Sequence, residues 1–398
     1  MQSQAVVTGS KPFSVYAHIP FCRTRCTYCA FNTYAGLDAL IEPYVDALTR
    51  EMVLLAEHTE VLQAHTLYLG GGTPSLLSPA QVEAIIGAAT RHVRLQAGAE
   101  ITLEANPGST SPEALAGYRS AGVNRLSLGV QSAHESELTL FGRHHTFEDA
   151  ATTFQQARRA GFEAISVDLI YGAPTQTPRS WRETLETVLA WEPEHVSLYS
   201  LTLEPGTALH QRVECAAVPP LDPDLAADMY EDACELLDRA GLQHYEISNW
   251  AWPGHECAHN RQYWLNLPFL GFGAGAHSGV AGLRYWNVAG VEAYIERVRQ
   301  GKLQPFPLTP AVDGYEQIDR PTEMSETLIL GLRLVREGVS SAAFAQRYGC
   351  TPDDLFGPEL AELEQVGLLE RHGDRIRLSR RGYLLSNQVF VRLLPEDA

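Results

Sequence analysis

Six strand-like runs alternate with six helix-like runs, and this alternation constrains the fold more than any other feature of the sequence. Such units in series predict a parallel sheet. No dinucleotide-binding fingerprint accompanies them, which favours a barrel-like sheet. The predicted strands are Ser14–Pro20, Thr66–Gly72, Ile101–Pro107, Arg125–Ser132, Ala164–Gly172 and His195–Glu204, and the predicted helices are Leu37–Glu57, Pro79–Arg91, Pro112–Ala121, Phe147–Ala160, Pro178–Trp191 and Pro223–Ala240.

Three of the seven cysteines, Cys22, Cys26 and Cys29, follow the first predicted strand with the spacing C-x3-C-x2-C. Thiolates this close together can surround one small soft centre, for which iron and zinc are the candidates. Structural zinc requires four protein ligands, and the other cysteines stand alone in the sequence. Three thiolates on a four-iron cluster leave one iron open for chemistry. The spacing therefore favours an iron–sulfur cluster over zinc or unligated thiols.

Polar and glycine residues collect near the carboxyl ends of the predicted strands, where a barrel places its chemistry. The second strand ends in Gly70-Gly71-Gly72-Thr73-Pro74, whose glycines allow the backbone to approach a ligand closely. Glu104, Gln131 and Asp168 lie in otherwise apolar strands, where burial is costly without a partner. These side chains are candidates for ligand contacts, the alternative being hydrogen bonds to neighbouring loops.

The balance of charge argues against some classes of function. With 48 acidic and 30 basic residues, the formal net charge is −18, which repels nucleic acids, and no long basic run offsets it. No apolar run approaches the roughly 18 residues of a membrane span. The N-terminal residues lack the basic start and apolar core of a secretory signal. The sequence therefore predicts a cytoplasmic protein that neither binds nucleic acid nor spans a membrane.

The cysteine spacing resembles the signature of the radical S-adenosylmethionine (SAM) enzymes. The flanking YAHIPFC and Tyr28 narrow the resemblance to the oxygen-independent coproporphyrinogen dehydrogenase group. Those dehydrogenases carry a further cysteine two residues past the third, where this chain has Phe31. At that position, and in the hexapeptide HNRQYW that starts at His259 (HNxxYW), the sequence is similar to the sister family of HemW-type heme chaperones. The resemblance covers nearly the whole chain.

The resemblance implies an α/β fold with an incomplete (β/α)6 barrel of the radical SAM type, a [4Fe-4S] cluster on the three cysteines, and bound SAM. By resemblance, the GGGTP segment lies beside the methionine moiety of SAM, Asp168 suits the ribose hydroxyls, and Arg143 suits the carboxylate. A guanidinium meets a carboxylate through two hydrogen bonds. The positions that match SAM contacts are Tyr16, Gly71, Gly72, Thr73, Glu104, Gln131, Arg143 and Asp168.

The segment Gln243–Gly282 is rich in aromatic residues and glycine, and its glycine-rich run PFLGFGAGAHSG is predicted to form a tightly packed loop over the barrel mouth. Within it, His259 is a candidate axial ligand of heme iron, because imidazole is a common ligand and aromatic side chains can cover a macrocycle. A hydrogen-bonded packing role is the alternative. The further candidates are His277 and Cys257 as rival iron ligands, and Arg261 and Arg284 for the heme propionates.

A linker is predicted over Leu303–Pro310 and the following AVDGYEQIDRP. Beyond it, helices and a β-hairpin with a turn at Gly373-Asp374 form a winged-helix-like pattern. Such domains often bind DNA, but the acidic surroundings and the resemblance favour a capping or partner-docking role. The predicted domains are a barrel over residues 1–242, an extension covering the barrel mouth over 243–310, and a C-terminal helical, winged-helix-like domain over 311–398.

Two functions follow from the resemblance. The first is a heme chaperone that binds the cluster, SAM and heme and transfers heme to an acceptor protein, with a reductant serving the cluster. The alternative is an oxygen-independent coproporphyrinogen III dehydrogenase, in which a 5′-deoxyadenosyl radical starts oxidative decarboxylation. Phe31, the HNxxYW hexapeptide and the short segment before Tyr16 favour the chaperone. An iron–sulfur sensor without SAM is a third hypothesis, which the set of strand-end polar residues disfavours.

Overall fold

The computed structural model describes residues 13–57, 63–302 and 304–395. Two of the sequence-based predictions fall partly outside these ranges. The N-terminal segment without a secretory signal pattern includes residues 1–12, and the predicted linker begins at Leu303. The strands are β1 (Phe13–Ile19), β2 (Phe21–Cys22), β3 (Tyr34–Ala35), β4 (Ala64–Gly71), β5 (Leu95–Ala105), β6 (Arg125–Gln131), β7 (Ala164–Tyr171), β8 (His195–Ser200), β9 (Gln243–Glu246), β10 (Asn249–Ala251), β11 (Phe269–Phe272), β12 (His277–Val280), β13 (Leu283–Asn287), β14 (Val312–Gln317), β15 (Val339–Ser340), β16 (Leu369–His372) and β17 (Arg375–Leu378).

Several of the described helices begin at a serine or threonine whose side chain caps the first turn. At α2 and α3, for example, Ser78 and Ser111 accept hydrogen bonds from the first turn, and a proline follows each serine. The helices are α1 (Ile41–Ala56), α2 (Pro79–His92), α3 (Pro112–Ala121), α4 (Glu135–Phe141), α5 (Phe147–Arg159), α6 (Pro178–Leu189), α7 (Ala208–Glu214), α8 (Pro223–Arg239), α9 (Ala258–Trp264), α10 (Val291–Gln300), α11 (Arg320–Leu332), α12 (Ser341–Tyr348), α13 (Pro352–Gln365), α14 (Arg380–Leu384) and α15 (Ser386–Val391). None of these described helices is long and apolar enough to cross a membrane.

The six predicted strands lie parallel to one another in one large sheet, in the order β1-β4-β5-β6-β7-β8. Apolar side chains such as Val15, Leu67 and Leu103 lie in one core with residues of the surrounding helices. The side chains that alternate with these apolar ones are mostly polar and face the inside of the barrel, since neighbouring residues on a strand point to opposite faces of the sheet. In the described chain β1 pairs with β11 and not with β8, so the barrel is incomplete, as predicted.

The aromatic and glycine-rich segment differs from its prediction. Its glycine-rich run forms β11, a turn and β12 rather than a loop alone, and the segment adds strands to both sides of the six barrel strands: β10 and β9 beside β8, and β11 and β12 beside β1. Its glycines explain the error, because they permit close strand contacts rather than a flexible turn. A Cβ on Gly271 would lie 2.1 Å from the carbonyl oxygen of His277.

One buried carboxylate fastens the added strands to the barrel. Glu51 of α1 accepts hydrogen bonds from the Tyr294 hydroxyl at 2.7 Å, the Asn287 amide at 2.9 Å, the Thr309 hydroxyl at 2.7 Å and the Gly273 backbone N–H at 3.0 Å. All four donors lie in residues 273–309, and Glu51 is only 1% exposed. Glu51 therefore joins four points of the segment from β11 to residue 309 to α1, and Tyr44 of the same helix adds a further contact by accepting from the Ala274 N–H at 2.8 Å.

The C-terminal part has a core of its own, formed by residues of α11–α13 and of the small sheet β15-β17-β16. The predicted hairpin is confirmed, with β16 and β17 antiparallel around Gly373-Asp374. The predicted linker is wrong over Val312–Gln317, which pairs with β13 as the last strand of the large sheet. The strand Val312–Gln317 contains aspartate, glycine and glutamate, a composition typical of a loop. An exposed strand at the edge of a sheet tolerates such polar residues. The helical part therefore begins between Gln317 and Arg320 rather than at residue 311.

Candidate cofactor site

The three clustered cysteines lie on the loop between β1 and α1, and the loop is anchored at both ends. Pairing of β2 with β3 closes its base, at Phe21 and Tyr34. In the middle, Thr27 donates from its backbone to Phe141 at 3.0 Å and from its hydroxyl to Leu140 at 2.6 Å, both at the end of α4. The loop is thus held against the carboxyl ends of the barrel strands.

Two threonine hydroxyls lie beside the sulfurs of the clustered cysteines. Cys22, Cys26 and Cys29 are half-buried, and burial raises the pKa of the Cys22 thiol. The Thr73 hydroxyl donates to the Cys22 sulfur at 3.5 Å, and the Thr33 hydroxyl lies 3.8 Å from the Cys29 sulfur. Such hydroxyls can stabilise sulfurs that carry negative charge toward a cluster. In the described residues, no three Cys, His, Asp or Glu side chains form a group able to hold a single metal ion.

The glycine turn after β4 makes room for the cysteine loop. Gly72 and Thr73 donate backbone hydrogen bonds to Ile19 and Phe21, each at 2.8 Å. A Cβ on Gly72 would lie 2.6 Å from the Phe21 carbonyl oxygen, so this position requires glycine. Gly71 has a φ of 114°, and a Cβ there would lie 2.5 Å from the His18 ring. The close approach predicted for this turn is, in the structure, an approach to the cysteine loop.

A polar network runs from Cys22 across the strand ends to Arg143. The Asn106 amide donates to the Thr73 hydroxyl at 3.1 Å, and Arg143 Nη1 donates to Asn106 Oδ1 at 2.8 Å. A Cβ built on Gly129 would lie 2.8 Å from both the Arg143 and the Gln131 side chains, so these two groups converge. Sequence analysis missed Asn106, although its place at the end of a strand, before a proline, was a usable signal.

This network contains an unsatisfied donor. Arg143 Nε is buried and has no hydrogen-bond partner in the protein. Burying such a group without a partner is costly, and a bound anion would satisfy it. The residues around Arg143 therefore fit a ligand with a carboxylate, such as SAM.

Glu104 occupies a second position, near the Gly71 turn. Its carboxylate accepts from the Tyr68 hydroxyl at 2.8 Å and from the Gly71 N–H at 3.0 Å. Desolvation, with a smaller contribution from the negative charge of Asp168, raises the pKa of Glu104 to about 7. Glu104 thus changes charge near neutral pH and can meet a cationic group when ionised.

Asp168 belongs to β7, and its negative charge contributes to the raised pKa of Arg143. Its carboxylate accepts hydrogen bonds from Ser127 at 2.8 Å and from Ser166 at 3.4 Å. Burial raises its pKa. Its protein contacts are those of the alternative considered from sequence, hydrogen bonding to neighbours, and its contact with the SAM ribose stays a prediction.

A cavity of about 560 Å³ opens beside these residues at the barrel mouth. Three predicted SAM contacts line it, Tyr16, Gly71 and Glu104. Aromatic and histidine side chains complete its wall, among them Phe31, Tyr263, Phe269 and His277. Phe31 is 68% exposed, a large apolar side chain left in water at the opening. The cavity therefore combines polar groups inside with an apolar, accessible rim.

His259 does not lie in this cavity. It is 1% exposed, and its ring nitrogens contact the Thr66 hydroxyl at 2.8 Å and the Tyr263 hydroxyl at 2.9 Å. Its ring also stacks on Tyr68 at a centroid distance of 5.0 Å. Burial lowers its pKa to about 3. These contacts match the hydrogen-bonded packing role considered from sequence, and ligation of heme iron by His259 would break one of them.

The other candidate heme contacts in this segment, except for His277, also form hydrogen bonds or ion pairs within the protein. The Cys257 thiol is buried and donates to Glu100 at 3.5 Å. Arg261 pairs with Glu337 at 2.6 Å, and Arg284 pairs with both carboxylate oxygens of Glu326 at 2.8 and 2.9 Å. The arginines predicted to meet propionates thus already have carboxylate partners.

The remaining aromatic residue of the hexapeptide contacts the C-terminal part. The Arg333 guanidinium of that part lies over the Trp264 ring, 4.2 Å from its centre. Helix α9 thereby links three places: the barrel interior through His259, the cavity wall through Tyr263, and the C-terminal part through Trp264.

An incomplete (β/α)6 barrel with three cysteines on the loop after its first strand defines a radical SAM protein. The Radical SAM superfamily profile matches residues 16–188, and the HemN C-terminal domain profile matches residues 318–385. The chain is 38% identical over 386 residues to the heme chaperone HemW of Bacillus subtilis (strain 168), covering 96% of this chain and 99% of that protein. It is 36% identical to HemW of Lactococcus lactis, covering 97% and 98%. The chain belongs to this family of HemW proteins.

A solved enzyme shares the whole architecture. Coproporphyrinogen III oxidase (HemN) from Escherichia coli, a radical SAM enzyme, superposes with a TM-score of 0.83 at 26% identity, over 96% of this chain and 90% of that chain. The likeness extends over both the barrel and the C-terminal part.

The cysteine loop generates the first prediction. In Cys26→Ala, anaerobic reconstitution should give no [4Fe-4S] cluster, because two thiolates cannot replace three. Cys350→Ala, which alters a half-buried thiol of the C-terminal part, is the matched control and should retain the cluster. Iron and sulfide analysis provides the measurement. Four irons retained in a Cys22, Cys26, Cys29 triple variant would contradict the assignment.

Removing the Arg143 guanidinium, whose Nε lacks a partner in the protein, should weaken SAM binding. Arg143→Ala is expected to cost about 1.5–3 kcal/mol, the range for a charge-assisted hydrogen bond. Arg179→Ala is the control, because its side chain is 87% exposed. Calorimetry on the reconstituted proteins measures both. Equal affinity in Arg143→Ala and the wild type would remove Arg143 from the site.

The raised pKa of Glu104, about 7, predicts a pH dependence of SAM binding. Below this pKa the carboxyl is neutral, and as pH rises through it the carboxylate forms and attracts the cationic groups of SAM. Affinity should therefore rise between about pH 5.5 and 7, by no more than about tenfold per pH unit. Glu104→Gln should flatten this part of the profile, and a rise that persists in that variant would exclude Glu104 as its source.

Proposed function

We propose that this protein is a heme chaperone, which binds a [4Fe-4S] cluster, SAM and heme and transfers heme to an acceptor protein. The observation that carries the proposal is the 38% identity to the Bacillus subtilis heme chaperone HemW along nearly the full length of both chains. The accessible apolar rim of the cavity adds physical support, because a flat macrocycle needs apolar surface and an acceptor must reach it.

The chain's own residues divide the work. Cys22, Cys26 and Cys29 would hold the cluster, whose fourth iron supplies a site for SAM. Arg143 would bind the SAM carboxylate, and the Thr73–Asn106 pair keeps Arg143 in place. On the cavity side, Glu104 would meet a cationic group of SAM. The exposed rim is left for the heme.

The position of Phe31 favours the chaperone over the dehydrogenase. In the dehydrogenases that this chain resembles, a cysteine stands there, and a thiol can take part in radical chemistry. The Phe31 side chain offers no exchangeable hydrogen and presents an apolar surface to the cavity. The dehydrogenase remains the second candidate because of the HemN structure, with its TM-score of 0.83.

The cellular setting is part of the proposal. We place the protein in the cytoplasm, where an electron donor reduces the cluster and the acceptor is a protein rather than a nucleic acid. The formal net charge of −18 supports the exclusion of nucleic acid. Any heme propionates must then meet local donors against this overall negative charge.

One assay separates the two functions. The reconstituted protein, with SAM and a reductant, should give no decarboxylated product from coproporphyrinogen III, while hemin should bind saturably in an absorption titration. The control without cluster shows whether turnover or binding depends on it. Product formation at catalytic rates, without saturable hemin binding, would reverse the assignment in favour of the dehydrogenase.

A further inference from the structure

We propose that His277 supplies the imidazole that binds the iron of heme at the rim of the cavity. The proposal rests on the proposed function, since it names the residue that holds the cargo. His277 begins β12, beside the glycine-rich turn that connects β11 to β12. It lines the cavity together with Phe31 and Phe269.

Availability separates His277 from the other histidine of the cavity. His18 also lines the cavity, but it is 6% exposed, and its ring nitrogens contact the Tyr16 hydroxyl at 3.0 Å and the Asn32 carbonyl at 2.9 Å. His277 is exposed, and in the described part of the chain its ring nitrogens make no hydrogen bond. Only His277 therefore offers the cavity an imidazole nitrogen with no bond to break.

The surroundings hold the His277 ring in a usable orientation and charge state. The ring lies against Trp286, with centroids 6.0 Å apart and planes 31° apart. Its pKa is lowered by burial and by the positive charge of Arg284, so the neutral form that binds metal predominates at neutral pH. Arg284 itself is held in place by Glu326.

The rim also provides the apolar surface that a macrocycle requires. Phe31 is 68% exposed, and the Phe269 ring lies close enough to Gly279 that a Cβ there would be 2.8 Å from it. A large exposed phenylalanine beside an unoccupied imidazole is the arrangement that a heme face would cover. Residues predicted to contact SAM, Tyr16 and Glu104, lie in the same cavity but are less exposed, which leaves the rim to heme.

A rim position suits transfer. Heme bound through a surface imidazole can be exchanged for a ligand of the acceptor without opening the barrel. A ligand buried as deeply as His259 would instead require the barrel base to open during each transfer.

The test is a hemin titration of the full-length reconstituted protein, followed through the Soret band. His277→Ala should bind hemin at least tenfold more weakly, with a shifted Soret maximum, and added imidazole should restore the wild-type spectrum. His372→Ala is the matched control, because its side chain is 56% exposed in the C-terminal part, and it should behave as the wild type does. His259→Gln should retain the wild-type Soret maximum.

The outcomes distinguish the two levels of the proposal. Unchanged affinity and spectrum in His277→Ala, with saturable binding in the wild type, would overturn His277 and leave the chaperone intact. No saturable binding in the wild type would overturn both. If His277→Ala does not fold, electron paramagnetic resonance of the wild-type ferric complex still decides, because a spectrum without nitrogen axial ligation excludes His277.

Discussion

The carboxylate of Glu51 is the contact on which the cavity depends. A carboxylate removed from water is stable only when its oxygens accept hydrogen bonds, and here four donors from residues 273–309 converge on it. These donors flank the glycine-rich turn, whose residues Gly275 and Ala276 line the cavity, while Glu51 belongs to the first barrel helix. Losing the carboxylate would leave several buried donors without hydrogen-bond partners. The same hydrogen bonds therefore stabilise both the cavity wall and the barrel.

The cysteine loop is positioned by a similar exchange of backbone and side-chain bonds. Glycines at 71 and 72 let the end of β4 touch the loop, and Thr73 contacts both Cys22 and Asn106. Hydrogen bonds through Thr73 therefore connect the cysteine loop to the ends of both β4 and β5.

The sequence predicted the parts of the fold that depend on local signals. Alternating apolar runs and serine–proline starts located the six barrel units, because periodicity and capping act over a few residues. The strand Val312–Gln317 was missed because its pairing with β13 depends on a distant partner, which its loop-like composition hides. The surroundings of His259 were hidden for a related reason: an aromatic neighbourhood in sequence does not tell whether an imidazole faces a cavity or is buried between strands and helix α9. The strand-end position of Asn106 before a proline could have marked it as a candidate, but its hydrogen bond with Arg143 depends on the fold.

Helix α9 has only seven residues, yet it touches the barrel interior, the cavity wall and the C-terminal part in successive turns. At 1.5 Å per residue it is a strut about 10 Å long. A tilt of the C-terminal part, applied at Arg333 and Trp264, must displace Tyr263 in the cavity wall, because a short helix bends far less than it rotates. A protein that bound the C-terminal part would thus act on the cavity wall through α9, and the opening of the cavity would stay accessible for the release of heme.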